Sequence, residues 1–135
     1  MATIADKTVL VTGANRGIGR ALVDEALRRG AKRVFAGTRQ PLAHPDQRVT
    51  PLMLDVTNAA EIQRAVEKVE SLDILSNNAG LDIHSDLGDR ATLERLLAIN
   101  FFGTYGVTQA FLPLLTRSGG AIVNNLSLAA LAPVP

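Results

Sequence analysis

The 135 residues are 47% hydrophobic and 20% charged with a formal net charge of +1, the balance of a folded globular chain rather than a disordered one. The absence of cysteine excludes disulfides, a thiolate zinc site and a thiol nucleophile, and no metal site is expected. No basic stripe with interleaved aromatics suggests nucleic acid, no apolar run reaches the length of a membrane span, and the opening MATIADK lacks an apolar leader core. A cytoplasmic chain forming one domain over residues 1–135 is the expectation.

Thr8 to Val11 is a β-branched apolar run, the pattern of a strand buried on both faces. Three glycines follow, Gly13, Gly17 and Gly19, and Ile18 to Arg29 then carries Ile18, Ala21, Leu22 and Ala26 at helical spacing. Strand, glycine-rich turn and helix in that order suit a pyrophosphate. The first N–H groups of a helix have no intrahelical partner, and glycines let a phosphate approach them. The spacing is T-G-x(3)-G-x-G from Thr12, not G-x-G-x-x-G, and glycines that merely relieve strain in the turn are the competing reading.

Gly30 stops the helix, and Val34 to Ala36 is a second strand ending in Gly37-Thr38-Arg39. In a nucleotide-binding βαβ unit this strand end meets the adenosine ribose, where an acid would bind a free 2′-hydroxyl. Thr38 is uncharged and Arg39 cationic, and Arg16 in the glycine turn can point to the same place. Two guanidiniums favour a 2′-phosphate and hence NADP(H) over NAD(H), the alternative being two solvated surface arginines.

Pro41 and Pro45 leave no room for a helix between residues 40 and 47. Thr50 to Leu54 is a third strand, running into Asp55-Val56-Thr57. Asp55 can accept from an adenine amino group, or cap with Thr57 the helix that begins near Asn58. That helix, Ala59 to Val69, has one apolar stripe. Leu72 to Leu75 is a fourth strand, followed by Ser76-Asn77-Asn78-Ala79-Gly80, either turn chemistry or a backbone brace beside a cofactor ribose. His84 and His44 are given no role. Ala91 to Leu115 reads as one helix, apolar on nearly every face, with one side for the sheet and the other for a second subunit. Asn100 inside it is a buried amide that needs a partner. Gly120 to Leu126 is a fifth strand with Ser127 at its carboxyl end, the edge where open α/β sheets bind ligands.

Together these residues resemble the short-chain dehydrogenase/reductase family, of classical type, over essentially the whole chain. Thr12-Gly13-Ala14-Asn15-Arg16-Gly17-Ile18-Gly19 is similar to its cofactor motif, Asp55 to its adenine-side acid and Asn77-Asn78-Ala79-Gly80 to its brace after the fourth strand. The resemblance implies an α/β, Rossmann-like doubly wound parallel sheet of five strands in the order 3-2-1-4-5, cut before the family's last strands. It implies cofactor-binding roles for Gly13, Asn15, Arg16, Gly17, Ile18, Gly19, Thr38, Arg39, Asp55, Val56, Asn77, Ala79 and Gly80. Asn100 fits the asparagine that helps hold a proton-relay water, and Ser127 the serine that hydrogen-bonds the substrate oxygen. The implied activity is NADP(H)-dependent hydride transfer between the nicotinamide and a carbonyl or alcohol.

The departure from the family is specific. Its acid/base is the tyrosine of a Y-x-x-x-K pair shortly after the serine. The only tyrosine here is Tyr105, followed at the lysine position by Gln109, and the sequence stops at Pro135. The 135 residues alone are therefore expected to be inactive or nearly so, and to associate through the apolar residues of 91–115 and the tail Leu128 to Pro135. The alternative is a non-catalytic NADP(H)-binding module or structural subunit. Substrate and reaction direction are not legible.

Overall fold

The computed structural model describes residues 3–81 and 88–127. The tail from Leu128 and His84 lie outside the described residues.

Five strands, β1 (Thr8–Thr12), β2 (Arg33–Thr38), β3 (Val49–Met53), β4 (Ile74–Asn77) and β5 (Ala121–Asn124), form one parallel sheet in the order β3-β2-β1-β4-β5. This is the expected topology. Alternation along β1 explains why the strand reads as unbroken apolar sequence. Val9 and Val11 point to one face and pack with Val23, Ala26 and Leu27 of helix α1 (Gly17–Arg28). Leu10 points to the other, against Leu75, Ile62 of α2 (Ala59–Lys68), and Val107, Phe111, Leu114 and Leu115 of α4 (Thr104–Ser118). Both faces of β1 are covered, as in the interior of a parallel sheet. Phe111 is fully buried, and truncating such a ring to alanine costs about 3–5 kcal/mol.

The 40–47 segment holds no helix, as its prolines dictate. It docks on the carboxyl end of α1. Arg48 donates to the Leu27 carbonyl at 3.1 Å while paired with Asp46 at 2.8 Å, and His44 Nε2 lies 3.6 Å from Asp24. Pro51, in the middle of β3, stands in register with Ala36 of β2 and is exposed.

The expected single helix over 91–115 is three pieces: α3 (Arg90–Leu97), a π-helical turn (Ala98–Gly103) and α4, which runs on to a left-handed cap at Gly119. Its apolar residues divide by face. One stripe lies on the sheet, while Phe101, Phe102 and Tyr105 are about 60% exposed, with Leu97 and Leu112 beside them at 40% or more. One sheet face can bury only one stripe of a helix, which is why apolar sequence on all sides does not mean burial on all sides here.

Candidate functional site

Strands β2 and β3 step to one side of β1, and β4 and β5 to the other. At that reversal the carboxyl ends of β1 and β4 leave a crevice, the place where open α/β sheets accept ligands. A cleft of about 1440 Å³ opens there, larger than the roughly 300–1,000 Å³ of an ordinary small-molecule pocket.

Every expected site residue except Gly19 lines it. The glycine turn contributes Gly13, Asn15, Arg16, Gly17 and Ile18; the end of β2 contributes Thr38 and Arg39; the end of β3, Asp55 and Val56. The end of β4 adds Asn77, Ala79 and Gly80, the π turn Asn100, and the segment after β5 Ser127. Gly19 sits behind the turn, buried, where a Cβ would overlap the Gly13 carbonyl and come within 2.6 Å of Asn78 Nδ2. Its glycine is needed for loop-to-helix packing.

The turn is open where a ligand would approach. Gly13 and Gly17 have positive φ, +64° and +54°, the region glycine adopts without strain. At Gly13 an added Cβ would lie 2.9 Å from Ala79 Cα, whereas at Gly17 it would meet nothing within 4 Å. Helix α1 begins with no side chain capping its first amides and no acid in its first turn, so its positive end is uncompensated by the protein.

Asp55 accepts from the Thr57 hydroxyl at 2.6 Å and the Thr57 amide at 2.9 Å, both on Oδ1. These bonds, with a smaller contribution from the Arg39 charge, hold its carboxyl below the usual carboxylate range. Neither Asp55 nor Thr57 caps α2. Asn58 does, accepting from Ala60 and Glu61 amides at 3.1 Å each, because a residue directly before the helix reaches its second and third N–H groups and one three positions earlier does not. Thr38 is buried, and its hydroxyl donates to the Gln40 carbonyl, which shapes the turn that presents Arg39.

Asn100 departs from its expected burial. It is exposed, and its carboxamide pairs twice with the backbone of Leu81, accepting from the N–H at 2.7 Å and donating to the carbonyl at 2.8 Å. The widened turn brings it to the β4 loop, with Gly80 passing close to its Oδ1.

Several contacts of this site, and the partners Thr108, Asn124 and Asn125, escape a reading of motifs. Thr12 Oγ1 accepts from the Asn78 and Ala79 amides at 3.0 and 2.9 Å, knitting the end of β1 to the β4 loop. Asn77 Nδ2 donates to Thr108 Oγ1 at 3.0 Å and to Asn124 Oδ1 at 2.9 Å. Asn125 Nδ2 donates to Asn78 Oδ1 at 2.8 Å. A signal existed in the sequence: Asn77-Asn78 and Asn124-Asn125 are matching doublets at the ends of neighbouring strands. Among the described residues no group of three His, Cys, Asp or Glu could hold a metal, and no helix is long and apolar enough to cross a membrane.

Residues 7–135 match the family described as short chain dehydrogenase. Estradiol 17-beta-dehydrogenase 2 of Mus musculus is 36% identical, over 97% of this chain and 39% of its own length. Among solved structures, a short chain dehydrogenase from Burkholderia cenocepacia in complex with NADP superposes with a TM-score of 0.94 and 36% identity, over 99% of this chain and 59% of that one. A 3-ketoacyl-(acyl-carrier-protein) reductase from Brucella melitensis complexed with NADH gives a TM-score of 0.88 and 26% identity, over 98% of this chain and 62% of that one. The chain thus spans between 39% and 62% of the length of these relatives.

Proposed function

The chain belongs to the short-chain dehydrogenase family, and from that premise we propose that its 135 residues form one nucleotide-binding domain of an NADP(H)-dependent oxidoreductase acting on a carbonyl or alcohol. The observation that carries this reading is the convergence of the glycine turn, Arg39, Asp55 and the Asn77–Gly80 loop on one cleft at the sheet's reversal point. The residues fit a dinucleotide. Gly17 leaves space beside the uncapped start of α1 for a pyrophosphate, and Asp55 stands ionised at the end of β3 for an adenine amino group. Arg16 and Arg39 line the same cleft with no acid at the end of β2, which favours a 2′-phosphate.

When bound, a nicotinamide cofactor supplies hydride exchange; the protein orients the reactants and moves the proton. In this reading Ser127 hydrogen-bonds the substrate oxygen, and Asn100, braced on both polar atoms by Leu81, fixes the turn beside it. These 135 residues contain no Tyr-x-x-x-Lys pair, so they supply no such general acid, and turnover by this chain alone is expected to fall by about 10²–10⁴-fold or more. A second reading is a binding module without catalysis, supported by the same convergence of residues on the cleft.

Titrating NADPH and NADH against the chain, followed by carbonyl-dependent NADPH consumption, tests both readings. Tight NADPH binding without turnover is expected; no binding of either nucleotide refutes both. The exposed Phe101, Phe102 and Tyr105 are further proposed to pair copies of the chain in the cytoplasm. A clean monomer by light scattering at high concentration refutes that part.

A further inference from the structure

We propose that Asn125 is a positioning residue that registers the Ser127 end of β5 against the glycine turn, through the side chain of Asn78. Strand β5 has little else to hold it: all four of its residues are exposed, and it pairs with β4 alone among the described strands. At its end the amide doublets pair in register, Asn77 with Asn124, and Asn125 follows beside Asn78. Successive residues of a strand face opposite sides of the sheet, so the two amide pairs hold this end from both faces.

On one face Asn124 is tied through Asn77 to Thr108 of α4. On the other, Asn125 Nδ2 donates to Asn78 Oδ1 at 2.8 Å, and Asn78 Nδ2 donates in turn to the Gly13 carbonyl at 3.4 Å. The Asn125 backbone N–H adds a bond to the Asn77 carbonyl at 3.1 Å. A line of hydrogen bonds therefore crosses three strand ends, from the turn proposed to hold a pyrophosphate to a point two residues before the serine proposed to hold the substrate. A carboxamide suits the middle of such a line because it accepts on one atom and donates on the other. The inference rests on the proposed roles of Ser127 and the glycine turn for its meaning, though not for its test.

The test is hydrogen exchange of the ligand-free chain. Asn125→Leu keeps the side chain's approximate size and removes its polar atoms, on an exposed position where folding is not at stake. Exchange is expected to quicken about threefold to tenfold, the effect of losing one net hydrogen bond, both at residues 121–127 and across the strand ends at residues 13–19. Asn78→Leu is expected to give the same pair of changes, and the double variant little more than either alone. Asn125→Gln, which keeps the donor on a longer arm, should restore slow exchange at 13–19. Quickening confined to 121–127, or additive effects of the two leucines, overturns the proposal. The exchange result decides the clamp by itself, whereas failure of the unmodified chain to bind NADPH removes the nucleotide reading instead.

Discussion

Gly17 and Gly19 are two residues apart in one turn, yet the structure gives them opposite surroundings, and alanine at each should separate stability from the proposed binding. At Gly17, φ is +54° and a Cβ meets nothing within 4 Å. A left-handed alanine costs about 1–2 kcal/mol, and the stiffer unfolded chain returns about 0.4–1 kcal/mol. The net of about 1 kcal/mol corresponds to about 3–5 °C in Tm at this size. The methyl, however, stands in the cleft beside the first amides of α1, so NADPH affinity should fall about tenfold or more, a loss of at least about 1.4 kcal/mol. At Gly19 the methyl would overlap backbone of Gly13, 2.8 Å from its carbonyl carbon, and backbone cannot step aside as a flexible side chain can. Overpacking of that kind costs about 3 kcal/mol or more, and alanine's better helix propensity returns about 1 kcal/mol. Gly19→Ala should therefore lower Tm about twice as far as Gly17→Ala. Melting by circular dichroism and titration by NADPH fluorescence give the two readouts. Equal Tm losses in the two variants, or full NADPH affinity in Gly17→Ala, would refute the assignment of one glycine to the ligand and the other to packing.

Arg39→Ala should weaken NADPH binding by about tenfold to a hundredfold, the loss of one charge-assisted hydrogen bond, and leave NADH binding unchanged; equal losses for both nucleotides would dismiss the 2′-phosphate contact. The bonds from Thr57 hold Asp55 below its ordinary value of 3.8. Its contribution to stability is thus complete above that value and is lost as pH falls through the lower folded value. The urea midpoint of the parent chain should consequently drop more steeply below about pH 4 than that of Asp55→Asn, and parallel curves would contradict the sign. Asn58→Ala removes the side chain that caps α2 and should cost about 1 kcal/mol by denaturant melting; a loss below about 0.3 kcal/mol would mean that water replaces the cap.

The positions of the strands and most of the cleft were legible because both rest on local signals, whereas the order of the strands was implied by the family resemblance. Apolar β-branched runs, glycine stops and polar strand ends each report on a few neighbouring residues, and the carboxyl ends of parallel strands gather on one edge by geometry alone. Asn100 was less legible, since its neighbours in sequence are apolar and only the π turn carries it out to Leu81. The division of 91–115 into three pieces has the same origin, because helical periodicity does not mark where one extra residue widens a turn. Thr12 stands inside a motif, but its hydroxyl's bonds to two amides of the loop after β4, more than sixty residues on, are a long-range fact. The pairing of the asparagine doublets could be inferred only once β4 and β5 were known to be neighbours.

Pro51 gives the sheet a direction of growth. A proline inside a ladder has no N–H to offer, so its nitrogen faces away from β2, toward the outer side of β3. That outer side then lacks a donor at its centre, and another strand finds no continuous template there. At the other end of the described strands, β5 presents Ile122 and Val123 without such a break. Two copies meeting edge to edge through β5 would close on each other about a two-fold axis, with a proline-blunted strand at either outer end. Edge-to-edge growth from the β3 side is thereby disfavoured, because a fibre needs an open edge at each side of every molecule.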